Sequence, residues 1–267
     1  MDPLFLLQGI GMITIAVISA LYWKLRSRSA IAFVLLGTVT WIAAVVLKSI
    51  ASIPMPSIID TLRNSAPEFI AEPVLWLYIG LLTGIFECGL MLVFVLLVRR
   101  LRTANWNEAI TYGLGFGGTE ALVLGFYSFI VVLLTITIPE QIPPELIDLT
   151  DTSNTSLLAI PIPIIERTIV LLVHAVSSVL IIYAVRTKEW KWFWASFIYK
   201  TTLNAIAGFI HVTYGMENLT VRGAWLVKLV LLPFGILAIW GMLVLRNRWQ
   251  IRESETLYVK RGKSAYQ

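Results

Sequence analysis

The sequence predicts an all-α, polytopic membrane protein of seven transmembrane helices, with the N-terminus outside and the C-terminus in the cytoplasm. Three observations carry that prediction. The chain is 58% hydrophobic and 14% charged, with a mean hydropathy of +0.81, whereas soluble domains carry about a quarter charged residues. Apolar runs of membrane-spanning length recur along it. Its basic residues gather in alternate connections between those runs.

In order, the runs fall at 4–23, 30–50, 74–98, 108–137, 162–185, 190–213 and 222–245, measured against the about 20 residues that cross a bilayer. The first is too long for a cleavable signal and has no Lys or Arg before Lys24, so it reads as a span. Lys24, Arg26 and Arg28 follow the first run; Arg99, Arg100 and Arg102 the third; Arg186, Lys188 and Lys191 the fifth. The tail adds Arg246, Arg248, Arg252, Lys260, Arg261 and Lys263. The alternate segments carry Asp2, then Asp60, Glu68 and Glu72, then Glu140, Glu145, Asp148 and Asp151, then Glu217, opposed by Arg63 and Arg222. The positive-inside rule turns that asymmetry into an orientation. The expected organisation is one seven-helix membrane domain over 1–245 and a basic cytoplasmic tail over 246–267.

Two longer outer segments, 51–73 and 138–161, are rich in Pro, Ser, Thr and acids and read as loops lying on the membrane surface or forming a lid. Asn154 and Asn218 each open a glycosylation sequon on that side. Trp190, Trp192 and Trp194 fall where the sixth helix meets the cytoplasmic interface, an aromatic belt rather than a base-stacking platform. The net charge of +5 therefore marks topology and a lipid bilayer as surroundings, with no nucleic-acid partner. The single cysteine, Cys88, excludes an internal disulfide and a thiolate metal cluster.

Inside the runs, one spacing occurs twice. Gly80, Gly84 and Glu87 repeat in Gly113, Gly117 and Glu120, so each set shares one helical face. Small residues at that spacing let membrane helices approach closely, and an ionisable residue at depth marks a functional site. The two helices are consecutive and antiparallel, so Gly80 and Gly84 are expected to pack against Gly113 and Gly117. At about 1.5 Å per residue both acids fall near mid-membrane. The fifth helix adds Glu166, Arg167 and His174, with Ser177 and Ser178 continuing the stripe; the sixth adds Lys200, Asn204, Gly208 and His211; the seventh has Lys228. Each has a structural explanation by itself: Arg167 can pair with an acid, Lys200 can neutralise Glu87 or Glu120, Asn204 can bond a backbone. Four consecutive helices with such groups, however, are enough to line a cavity. Glu87, Glu120, His174 and Lys200 are expected to converge, with Glu166 and Arg167 as a second layer toward the outside.

The Tyr-Gly-Leu-Gly-x-Gly-Gly-Thr-Glu-Ala core within Trp106 to Gly125, the acid after Gly-Ile-Phe in helix three, Glu166-Arg167 and His174 in helix five, and the polar helix six together resemble the YhfC family of intramembrane peptidases. That family is similar in turn to the glutamate-type CAAX prenyl endopeptidases and to the seven-helix Aph subunit of γ-secretase. The resemblance implies that Glu87, Glu120 and His174 are catalytic, supported by Glu166, Arg167, Lys200 and Asn204. It also implies a membrane-embedded or membrane-proximal peptide as partner. The chain departs from the pattern where Cys88 follows Glu87 in place of a second acid, Phe116 fills a histidine position, and Lys200 precedes Asn204 where a histidine is expected. A divalent metal such as zinc would therefore find only Glu87, Glu120 and His174. A metal-free route, with a carboxylate as base and His174 or Lys200 stabilising the oxyanion, needs fewer groups. The alternatives are a catalytically inert member acting as a scaffold or peptide-binding subunit for a membrane-protein partner, and a proton-coupled transporter. A retinal protein is disfavoured, since Lys228 follows Ala224 rather than an acid at that spacing.

Overall fold

The computed structural model describes residues 2–141, 156–214 and 219–264, with side chains described for the same residues except 141, 211 and 253–264. Expectations placed on Glu145, Asp148, Asp151, Asn154, Glu217 and Asn218 lie outside these residues, as do those on the side chains of His211, Lys260, Arg261 and Lys263. Among the described residues every element is helical: α1 (Leu6–Ser27), α2 (Ile31–Ala51), α3 (Met55–Ser65), α4 (Glu68–Thr83), a π-helical turn (Gly84–Cys88), α5 (Gly89–Leu97), α6 (Arg99–Arg102), α7 (Trp106–Thr137), α8 (Pro161–Thr187), α9 (Lys191–Tyr214) and α10 (Val221–Ser264).

Six of these helical stretches are long and apolar enough to cross a membrane: Pro3–Ser27, Ile31–Ala51, Glu68–Leu97, Trp106–Thr137, Leu157–Thr187 and Val221–Arg252. The long helix α9 stands outside that set. Polarity is inverted relative to a soluble domain. Large apolar side chains such as Ile18, Leu35, Leu77, Val123, Leu229 and Leu243 point outward, while Thr40, Glu87, Thr111, His174, Ser178, Lys200 and Lys228 are buried. Lipid solvates the first group and rejects the second.

Helix α8 is the axis of the bundle, packed against α7, α9, α10 and α1. Helix α7 starts at a capping box: Asn105 Oδ1 accepts from the Glu108 N–H at 3.0 Å, and Glu108 Oε2 accepts from the Asn105 N–H at 2.8 Å. It then packs on α1, α2 and α8.

The expected contact between the two glycine faces does not form. A Cβ on Gly80 or Gly84 would collide with Thr201 of α9, and one on Gly117 would lie 2.9 Å from His174 Cβ of α8. Gly113 likewise abuts Ser178 and Ala175 of α8. The reason is electrostatic. Facing the two Gly-x-x-x-Gly-x-x-Glu stripes would oppose Glu87 and Glu120 without a cation between them, whereas α9 and α8 supply Lys200, Arg167 and His174.

One other reading differs. The segment 51–73 is not a loop throughout but holds the amphipathic α3 and the first turn of α4. Helix α10 runs on past 245 without a break, so the expected edge of the tail is a change in composition, not in secondary structure.

The ends of the bundle sort by charge. At one end Trp23 Nε1 donates to Asn107 O at 3.1 Å, Arg186 bonds Ala104 O, and Arg252 pairs with Glu189. These contacts gather the basic connections. At the other end Gln8 donates to Ala159 O at 3.3 Å and Trp225 to Leu158 O at 3.2 Å, near Asp2 and the 156–161 segment.

Candidate active site

Eight side chains from six helical elements form one continuous series of hydrogen-bonded charges. Lys48 Nζ of α2 donates to Glu87 Oε1 at 2.8 Å, and Lys200 Nζ of α9 donates to Glu87 Oε2 at 2.5 Å. Lys200 Nζ also lies 3.0 Å from His174 Nδ1, and His174 Nε2 lies 2.9 Å from Glu120 Oε2. Arg167 Nη1 donates to Glu120 Oε1 at 2.5 Å. Arg167 in turn bonds Glu166, which also takes Lys228 of α10. An ammonium cannot accept a hydrogen bond, so Lys200 donates to Nδ1 and the His174 proton sits on Nε2, directed at Glu120.

Local structure explains each position. Glu87 lies in the π-helical turn Gly84–Cys88, a wider turn that interrupts the α-helical register and is frequent at functional sites. Glu120 lies one turn beyond Gly117, whose missing side chain admits the His174 ring. Phe116 packs its ring 4.8 Å from His174, and Lys200 Nζ lies 5.1 Å from the centre of the Phe116 face.

These groups open onto a cavity of about 270 Å³ whose polar wall is Lys48, Glu87, Glu120, Glu166, Arg167, His174, Lys200 and Asn204, and whose apolar wall includes Trp41, Val173, Leu203 and Leu231. The structure thus brings together Glu87, Glu120, His174 and Lys200, and continues through Arg167 to Glu166. Asn204 lines the same cavity but donates to Lys200 O at 2.9 Å, within its own helix, rather than to an acid. Two members had no role from the sequence alone. Lys48 stands near the end of an apolar run and reads as flank, and Lys228 had no visible partner until α10 was placed beside α8.

A bundle with apolar sides and a buried, ion-paired cavity defines a multi-pass membrane protein built around an intramembrane polar site. The sequence matches the family described as YhfC intramembrane metalloprotease over residues 11–230, and the chain belongs to that family. No curated protein and no solved structure matches it.

The family description implies a metal, and the donor set here does not fit one. Both Glu87 oxygens are taken by lysines, and both His174 nitrogens are taken by Lys200 and Glu120. Among the described residues no three His, Cys, Asp or Glu side chains cluster as ligands for one ion.

Proposed function

We propose that the protein is an intramembrane peptidase of the YhfC type, resident in the cell membrane, that hydrolyses a membrane-embedded or membrane-proximal peptide at the Glu87, Glu120 and His174 site. The observation that carries this is the 270 Å³ cavity, which places carboxylates, an imidazole and cations against one space in an apolar bundle. In this reading α9 is the seventh span, since its Lys200 is buried against Glu87 and it packs along α4. The N-terminus then lies outside, the C-terminus lies in the cytoplasm, and 246–267 is a basic extension of the single membrane domain.

The two acids differ in what they can do. The Glu120 side chain is 19% exposed toward the cavity, against 6% for Glu87. Glu120 is therefore the base that takes a proton from water, and His174 orients it. Lys200 and Arg167 hold their N–H groups near that carboxylate, where charge develops on the attacked carbonyl oxygen. Glu87 fixes Lys200 in place. In proteoliposomes carrying a transmembrane peptide, Glu120→Gln is expected to abolish cleavage and Glu87→Gln to reduce it to background, both with helical content intact. Full activity in both variants overturns the assignment.

One observation favours a second reading, an inert member that binds peptide as a scaffold. Every oxygen of Glu87 and Glu120 already accepts from a protein partner. A peptide that cross-links into the cavity of the wild-type protein and is never cut would establish it.

A further inference from the structure

We infer that the Lys200 ammonium is the resident cation of this site, occupying the position a catalytic metal ion would take, and that the chain binds no divalent metal there. The inference concerns the site proposed above but does not require that peptides be cleaved.

The Lys200 side chain is 2% exposed and its Nζ is held by three different groups: Glu87 Oε2 at 2.5 Å, His174 Nδ1 at 3.0 Å and the Phe116 ring face at 5.1 Å. A carboxylate, an imidazole nitrogen and an aromatic face suit an ammonium well. The first two would also be the first ligands of a zinc ion, whose bonds to N and O are about 2.0–2.2 Å. Both ligands are thus already directed at one cation, and it is covalently part of the chain.

Charge balance points the same way. The network sets Lys48, Arg167, Lys200 and Lys228 against Glu87, Glu120 and Glu166. Four cations already outnumber three carboxylates. A divalent ion would add two positive charges to that excess at a place shielded from water, and it would have to displace Lys200 from both partners. His174 could turn neither nitrogen to it without giving up its contact to Lys200 or to Glu120.

Removing the lysine reverses the argument. An imidazole at position 200 is shorter than the lysine side chain by about the length of a Zn–N bond, about 2.0–2.1 Å. An ion bound to it would stand near the present Nζ, within reach of Glu87 and His174. Lys200→His is therefore expected to create a metal site from residues already in place. Lys200→Cys is expected to do so with a thiolate, and its smaller side chain avoids overpacking.

The test is metal content, read by plasma mass spectrometry on the full chain purified in detergent and dialysed against micromolar Zn(II). Co(II) d–d absorption reports geometry. The expected result is no stoichiometric metal in the wild type. One equivalent is expected in Lys200→His or Lys200→Cys, lost again when His174→Ala is added. Wild-type protein that takes up one equivalent of zinc, and loses it in Glu87→Gln or His174→Ala, overturns the inference. So does failure of both position-200 variants to bind metal while folded. Peptide cleavage is scored separately: an inactive, metal-free wild type sinks only the peptidase reading, and an active, zinc-loaded one sinks only this inference.

Discussion

Taking away the Lys200 ammonium leaves Glu87 with Lys48 alone and His174 Nδ1 without a donor. Breaking a buried ion pair by deleting one partner costs about 3–5 kcal/mol. Lys200→Met is accordingly expected to lose about that much, measured by reversible unfolding in mixed micelles. Lys48→Met is expected to lose clearly less, because that side chain is 29% exposed, so water screens its pair, and Glu87 keeps Lys200. The residues of the site were largely legible in the sequence. A Glu, His or Lys inside a long apolar run is costly enough to demand a partner, and Glu87, Glu120, His174 and Lys200 were all visible on that ground. Phe116 was not, as a packing partner of Lys200 and His174. An aromatic in an apolar run looks like any other, and only the fold shows which ring faces a cation.

At the scale of elements, the π-helical turn and the glycine stripe decide where the acids point. A π turn holds one residue more than the α-helical register. Deleting Ile85, which is exposed on the outer surface, is expected to restore a regular α-helix and to shift Glu87 away from Lys200 as the turn that carries it tightens. The measurable sign is non-additivity. In the deletion background Lys200→Met should cost little, because the pair is already broken. Gly117→Leu is expected to destabilise by about 1–3 kcal/mol through overpacking against His174, and to lower any cleavage rate by shifting that ring. The long helices were legible from run length and polarity, whereas the short amphipathic α3 lay in a segment read as loop. Which helix packs on which was not. Two identical glycine motifs suggested each other as partners, but the cations that set the true pairings lie far along the chain, on α8 and α9.

For the whole molecule, the basic connections gather at one end, and Glu189 there ties the α8–α9 turn to α10. Hydrogen bonds from Lys191, at 2.9 Å, and from Trp192 Nε1, at 3.2 Å, hold its carboxyl below the usual glutamate range, with Arg252 adding to the effect. A depressed carboxylate contributes its stabilisation above the unfolded-state pKa and loses it as pH falls through the folded one. A spin label at position 188 should therefore grow more mobile as pH falls below the ordinary glutamate range, and Glu189→Gln should be mobile on both sides of it. The charge asymmetry that predicts this clustering was legible from the positions of Lys and Arg along the chain, whereas the continuity of α10 past 245 was hidden by the polar sequence beyond it. Helix α9 carries a further consequence, in the order of synthesis. It is not among the helices whose length and composition suit a membrane span, and its Lys200 lies 113 residues after Glu87, whereas Lys48 lies 39 residues before it. In chain order Lys48 precedes Glu87 and Lys200 follows it, so Lys48 is the earlier of its two cations to be made. Lys200 of α9 is the last member of that trio to be made, and the acid it completes is one that Lys48 already neutralises.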